Sequence, residues 1–357
     1  MIDVLVVEDS PVVRDYLVFL LQSDPEIRNV ATAASGEEGL EQVSRRKPDV
    51  ILMDIHLPGI DGFETTRRIM STTPVPIVVC TGSTSYDQVQ TAMRALEAGA
   101  LAALQKPRGL GAPGADADAA QLVNTLKTMS EVRVVRRWPR TPPTGPHPVA
   151  IAPIPRTGGY SDAAVVAIGA STGGPPVISK ILSLLDKDFP VPILVVQHIS
   201  RGFTAGFAEW IGTTSGFTVH LAASGEIPLP GHVYVAPDDL HLRISPRGEL
   251  ETTREEPCNG LRPSVDVLFA SVAERFGRRA IGVLLSGMGR DGARELKTMA
   301  DRGALTITQD EASCVIYGMP QEAVRLGASC HMLGPAQIAD LLNTLVRTAA
   351  KKGESNE

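Results

Sequence analysis

The sequence predicts two α/β domains in tandem, each a doubly wound, mainly parallel sheet. Three observations predict this. In both halves of the chain, short apolar runs of strand length alternate with stretches of helical periodicity. The length, 357 residues, suits two domains at roughly 100–200 residues each. Between the halves, Val132 to Ser161 holds no Asp or Glu, five arginines (133, 136, 137, 140, 156) and prolines at 139, 142, 143, 146, 148, 153 and 155. Proline at that density excludes a helix or a central strand and favours a semi-extended tether. The division expected is therefore 1–130, a linker over 131–161, a second domain over 162–348 and a polar tail over 349–357.

In the first domain Ile2–Val7 is an apolar run that ends in Glu8-Asp9. Val50–Met53 ends in Asp54, Ile77–Cys80 ends in Thr81, and Leu101–Leu104 stops just before Lys106-Pro107. Helical patterns cover Pro11–Leu21, Gly36–Arg46, Gly62–Met70 and Tyr86–Ala98. Alternation of this kind gives a parallel sheet whose carboxyl edge forms the binding crevice. All five polar residues just named fall at that edge. Three carboxylates there repel one another unless a cation joins them, and an all-oxygen site with open positions suits Mg²⁺. A lone lysine and a hydroxyl at the same edge can bind the oxygens of an added phosphoryl group. A competing reading makes Asp9-Ser-Pro11 a cap on the first helix, which accounts for one acid but not three.

These residues, with Asp54-Ile-His-Leu-Pro-Gly-Ile-Asp-Gly62, resemble a response-regulator receiver domain, a flavodoxin-like fold, over its full length. The resemblance implies that Asp54 accepts a phosphoryl group from a histidine kinase. It implies Mg²⁺ held by Glu8, Asp9, Asp54 and the carbonyl of His56, with Thr81 and Lys106 touching the phosphoryl oxygens. There is one departure. Receivers usually carry Tyr or Phe three residues before the lysine, and this chain has Ala103, so the usual aromatic switch cannot work in its common form.

The second domain opens with the strand-like run Ala163–Ile168, and Val177–Leu185 follows as an amphipathic helix. Between them lies a G-x-S-x-G turn with Gly169, Ser171 and Gly173 in the fixed places. A tight turn of this kind lifts the serine Oγ off the sheet, and the helix N-terminus behind it favours a developing oxyanion. The same turn read otherwise merely joins strand to helix, or cradles a phosphate or dinucleotide. Further strands are expected at Val191–Gln197, Phe217–Leu221, His232–Ala236, Ala280–Ser286 and Ala304–Thr308. Further helices are expected at Phe203–Thr213, Ser264–Phe276, Gly292–Arg302 and Pro335–Thr348. His241–Ser245 and Glu249–Thr253 read as an inserted β-hairpin.

The strand-end rule applies again. Ser171, His198 and Asp291 each lie just past the carboxyl end of a parallel strand, where they can converge as nucleophile, general base and base-orienting carboxylate. Gly287 and Gly289 would leave backbone N–H groups near the acid for an oxyanion hole. Of the other histidines, His232 reads as a strand start, and His220 and His241 fall within strands. Asp291 also suits the N-cap of the helix that follows it. The chain order Ser…His…Asp differs from that of α/β-hydrolases, chymotrypsin and subtilisin, so such a triad belongs to another fold, here Rossmann-like.

This half resembles the catalytic domain of the CheB family, the chemotaxis protein-glutamate methylesterases, over essentially its whole length. The matching segments are Ile168-Gly-Ala-Ser-Thr-Gly-Gly-Pro175, Val195-Val-Gln-His198, Arg262-Pro-Ser-Val-Asp-Val-Leu-Phe269 and Leu285-Ser-Gly-Met-Gly-Arg-Asp-Gly292. Gln309-Asp-Glu-Ala-Ser-Cys314 and Tyr317-Gly-Met-Pro320 match as well. A receiver joined N-terminally by a linker is that family's architecture. The resemblance implies a Ser171–His198–Asp291 triad with oxyanion-hole amides from Thr172 and Met288. It implies hydrolysis of glutamate γ-methyl esters on chemoreceptors, with methanol released, and deamidation of receptor glutamines by the same triad. It also implies a phosphodonor, the chemotaxis histidine kinase CheA, and a receiver that covers the active site until Asp54 is phosphorylated. The esterase chemistry would need no cofactor. The family usually has Thr where this chain has Ser286, which keeps the hydroxyl. Two rivals are a catalytically silent adaptor and, from the glycine-rich turn, an oxidoreductase. The latter wants an acidic residue at the end of the next strand, where this chain has Gln197-His198.

Composition narrows the field further. A net charge of −6 gives no reason to expect nucleic acid. The first residues hold no basic signal-peptide region, and no apolar run approaches the roughly 20 residues of a membrane span. Cysteines 80, 258, 314 and 330 show no paired or metal-ligand spacing and are expected to be reduced. The expected location is the cytoplasm.

Overall fold

Strands buried on both faces read as continuous apolar runs, because neither face can afford polar side chains. That is why β1 (Ile2–Val7), β3 (Val50–Asp54) and β4 (Ile77–Thr81) are legible in the sequence; β3 and β4 are buried at every position. A computed structural model describes residues 1–82, 86–132, 134 and 162–353. It divides into two compact units, Met1–Thr157 and Gly158–Glu357. The predicted linker, apart from residues 131, 132 and 134, lies outside the described residues, as do residues 354–357.

In the first unit β2 (Ile27–Ala33) and β5 (Ala102–Gln105) complete a five-stranded sheet of order β2-β1-β3-β4-β5, parallel throughout. Its helices are α1 (Pro11–Gln22), α2 (Gly36–Arg45), α3 (Gly62–Thr72), α4 (Tyr86–Ala98) and α5 (Ala115–Ser130). Sequence reasoning missed β2 and α5. As an edge strand β2 leaves its middle partly exposed and lacks a continuous apolar run. The buried stripe Leu122, Leu126 and Met129 of α5 sits among alanines and aspartates that dilute its periodicity.

The second unit carries a seven-stranded parallel sheet. Its strands are β6 (Val165–Ala170), β7 (Ile193–Gln197), β8 (Thr218–Leu221), β9 (His232–Val235), β12 (Ala280–Leu284), β13 (Leu305–Gln309) and β14 (His331–Leu333). The order is β14-β13-β12-β6-β7-β9-β8. The expected hairpin is present as β10 (His241–Ile244) and β11 (Leu250–Thr253), antiparallel and separate from the large sheet. The helices are α6 (Gly174–Leu184), α7 (Thr204–Ser215), α8 (Val265–Phe276), α9 (Ala293–Asp301), α10 (Met319–Arg325) and α11 (Pro335–Gly353).

Two boundaries and two short elements differ from expectation. Helix α6 begins at Gly174, three residues early, because Pro175 in the first turn lacks only an N–H that no helix bond needs. Helix α11 runs to Gly353, so residues 349–353 are helical rather than tail. The short elements α10 and β14 were not expected, being too brief to show a period. Among the described residues no helix is long and apolar enough to cross a membrane.

Both sheets reverse direction once. In the first, the chain steps from β1 to β2 on one side and then to β3 on the other. In the second, it moves from β6 through β7 to β8 at the edge, steps back to β9 and then returns to β12 beside β6. Such reversal points open a crevice at the carboxyl edge.

Candidate active site and phosphoacceptor site

Ser171 follows directly on β6. Its amide donates to the Ser286 carbonyl (3.0 Å), and its own carbonyl accepts from Gly174 N–H (2.8 Å) and Gln197 Nε2 (2.9 Å). Two glycines make the turn possible. A Cβ on Gly169 would lie 2.2 Å from Val265 Cγ1, so β6 and α8 pack closely only without one. Gly173 has φ +79°, and a Cβ there would sit 2.5 Å from Val315 Cβ.

His198 follows β7, the other neighbour of β6. Its amide donates to Ala170 O (2.9 Å), and Gln197 Nε2 bridges from the Ser171 carbonyl to the His198 carbonyl (2.8 Å). One buried amide side chain thus ties the serine turn to the histidine. The imidazole Nε2 lies 2.9 Å from Asp291 Oδ2, so Nδ1 is the ring nitrogen turned away from the acid. The tautomer that fits carries its proton on Nε2.

Asp291 is 2% exposed and accepts from Ser264 Oγ (2.8 Å), Val265 N–H (2.7 Å) and Asp266 N–H (3.2 Å). It was expected to suit the N-cap of the helix after it. That position is held by Gly292, and Asp291 instead sits on the N-terminus of α8. Burial alone would push its pKa up. The hydrogen bond and charge of His198, with the Ser264 and Val265 donors, outweigh burial and hold the carboxyl below the usual range.

The hydroxyl of Ser286, fully buried after β12, donates to Thr172 O (2.8 Å) and accepts from the amides of Val315 (3.1 Å) and Ile316 (3.0 Å). Its backbone N–H donates to Gln309 Oε1 (2.8 Å), whose Nε2 reaches Ser313 O (2.9 Å). The serine turn, the β12 loop and residues 313–316 are stitched together by neutral groups. The Gly287 amide, expected to be open for an oxyanion, donates to Ile316 O (3.1 Å) and is committed. Met288 beside it is 46% exposed.

In the first unit Glu8 follows β1, Asp54 and Thr81 end β3 and β4, and Lys106 lies just past β5. Carboxylate oxygens of Glu8, Asp9 and Asp54 all lie within 4.8 Å of one another. Lys106 Nζ is 2.7 Å from Glu8 and 2.9 Å from Asp54, and His56 N–H donates to Asp54 Oδ1 (3.4 Å). Burial, with the nearby Asp54 charge, pushes the Glu8 carboxyl above its usual range despite Lys106. Burial works against the charged form of Lys106, but its two carboxylate partners win and raise its pKa. The cap on α1 is Ser10 and not Asp9, so all three acids belong to the cluster. Three hard oxygens facing one ammonium leave negative charge unmatched, and this donor set fits Mg²⁺. Ala103, buried on β5, offers no ring that could turn.

The CheB methylesterase family matches residues 166–342, and the response regulator receiver domain matches residues 4–112. A Nitrosospira multiformis protein named protein-glutamate methylesterase/protein-glutamine glutaminase is 48% identical over 99% of both chains. The chain belongs to the CheB methylesterase family. A Syntrophus aciditrophicus relative with the same activities in its name is 49% identical, over 98% of this chain and all of its own. The solved catalytic domain of Thermotoga maritima CheB is 37% identical and covers 52% of this chain and 99% of its own, with a TM-score of 0.50.

Sequence reasoning named Ser171, His198 and Asp291 and passed over the residues that hold them: Gln197, Ser264, Asp266 and Gln309. Gln197 had a signal, a polar side chain closing an apolar strand next to the histidine. Gln309 carried the same signal at the end of β13.

Proposed function

We propose that this protein is a phosphorylation-activated hydrolase that removes methyl groups from glutamate γ-methyl esters of chemoreceptors. The observation that carries the reading is the convergence of the strand ends of β6, β7 and β12, with His198 Nε2 held 2.9 Å from Asp291. Ser171 Oγ attacks the ester carbonyl while His198 Nδ1 takes its proton and Asp291 steadies the imidazolium. The amides of Thr172 and Met288 receive the oxyanion. His198 returns the proton to the departing methoxide, giving methanol, and then activates water against the acyl-enzyme. Glutamine amides would be cleaved by the same steps with ammonia leaving. The names of the relatives, which pair the two activities, support this extension.

In the receiver, Asp54 accepts the phosphoryl group, and Thr81 and Lys106 contact its oxygens. Glu8, Asp9, Asp54 and the His56 carbonyl would hold Mg²⁺, which when bound supplies the positive charge that the acidic cluster and the phosphoryl oxygens lack. The phosphodonor is the chemotaxis kinase CheA, and the work is done in the cytoplasm. Because Ala103 replaces the usual aromatic residue, the signal leaves Asp54 by another route.

The test is methanol release from a methylated receptor cytoplasmic fragment, with and without acetyl phosphate and Mg²⁺. Release should rise with the phosphodonor in the parent. Asp54→Ala should keep basal release and lose the rise. No release from folded protein across several receptors would favour a silent adaptor, and equal stimulation of Asp54→Ala would sink the switch.

A further inference from the structure

We infer that Asp266 is a positioning residue for hydrolysis, holding the Asp291 carboxylate, and through it the His198 ring, in the working orientation. This rests on the triad reading above. Two aspartates lie side by side in the core of the second unit, 3% and 2% exposed, and each caps the helix that belongs to the other. Asp291 accepts from the amides of Val265 and Asp266 at the start of α8. In return, Asp266 Oδ1 accepts from Gly292 N–H (3.0 Å) and Glu295 N–H (3.3 Å) at the start of α9. The Asp266 amide therefore bonds the Asp291 carboxylate, while the Asp266 carboxylate bonds the amide just after Asp291. That closed ring fixes the backbone just after the acid that orients His198.

What the ring needs at 266 is an acceptor and not a charge. Capping α9 needs an acceptor, which Ser or Asn supplies without charge, whereas a second buried carboxyl beside Asp291 adds like-charge repulsion. The charged groups facing Asp266 are Asp291, Arg294 and Glu295, with His198 beyond Asp291. Asn259 Nδ2 meets its other oxygen at 3.1 Å. An asparagine at 266 would keep the acceptor for Gly292, and Asn259 can turn its amide to match.

The experiment compares full-length parent, Asp266→Ala, Asp266→Asn and Ser171→Ala, measuring ester hydrolysis against pH and thermal unfolding of each. Asp266→Ala should lower kcat by tenfold to about a hundredfold with KM within about twofold, the scale of a small misplacement of a reacting group. Its acid limb in kcat/KM should move to lower pH, because a loosened Asp291 stabilises the imidazolium less. Asp266→Asn should recover most of kcat. Unchanged kcat and limb in Asp266→Ala would overturn the inference. So would a loss that only follows the unfolded fraction, with the limb unmoved. Retained hydrolysis in Ser171→Ala would remove the triad reading and this inference with it. Lost hydrolysis there with silent Asp266 variants would remove this inference alone.

Discussion

The two sites occupy the same place in two sheets, the crevice where strand order reverses, and they handle charge in opposite ways. Between β1 and β3, three acids face a single lysine and the site is left short of positive charge. Between β6 and β12, the buried Asp291 accepts three hydrogen bonds from the protein itself and has the His198 imidazole 2.9 Å away. Parallel-sheet topology chooses where side chains meet. On the function proposed above, the internal balance of charge then decides whether the place takes a cation and a phosphoryl group or keeps a hydroxyl and an imidazole for proton transfer. The acidic cluster is left short of positive charge, and Asp291 is met by donors of the protein.

If the sites are chemically separate, Ser171→Ala should cut methanol release by about a thousandfold or more. The same variant should take up phosphate at Asp54 from acetyl phosphate at the parent rate. Measuring both on one preparation breaks the comparison if phosphate uptake falls too.

A smaller effect tests whether neutral hydrogen bonds hold the catalytic side. Ser286→Ala leaves the amides of Val315 and Ile316 without their acceptor and should destabilise by about 1–3 kcal/mol, with kcat reduced. Ser286→Thr keeps the oxygen and should fall within about 1 kcal/mol of the parent, paralleling other conservative changes. Urea midpoints check both, and a neutral Ser286→Ala would mean the turn is held by backbone alone.

The smallest effect has opposite signs at the two sites. Asp291, with its pKa depressed in the fold, stabilises above its unfolded value of 3.8, and that support is lost as pH falls through the lower folded value. Glu8, with its pKa raised, weakens the fold when ionised, and acid relieves this as pH falls through the raised value toward 4.5. Asp291→Asn should therefore flatten the acid loss of the second unit below about pH 4, and Glu8→Gln should remove an acid gain in the first unit above about pH 4.5. Hydrogen exchange resolved by segment, followed across that range, separates the two. Like-signed responses would undo the contrast in charge.

Legibility in the sequence followed burial and length. β1, β3, β4, β6, β7 and β12 are apolar on both faces and could be read as runs, and the polar residues that end them could be read as edge residues. The edge strand β2, the three-residue β14 and the seven-residue α10 carry too little period to register. Asp291 was named from its place after β12, but the helix it caps is 25 residues earlier in the chain, and no local pattern carries that information.

The sequence by itself determined two α/β domains, the strand ends at which Glu8, Asp54, Ser171, His198 and Asp291 fall, and the glycines that the serine turn requires. These follow from periodicity and local sterics, which act over a few residues. Only the tertiary structure decided which imidazole nitrogen faces Asp291, that Gln197 ties the serine turn to the histidine, that the Gly287 amide is already used, and that Asp266 and Asp291 cap each other's helices. Each of these is a hydrogen bond or contact whose direction depends on how distant segments pack, and the pairing of buried polar groups is settled only when that packing is complete.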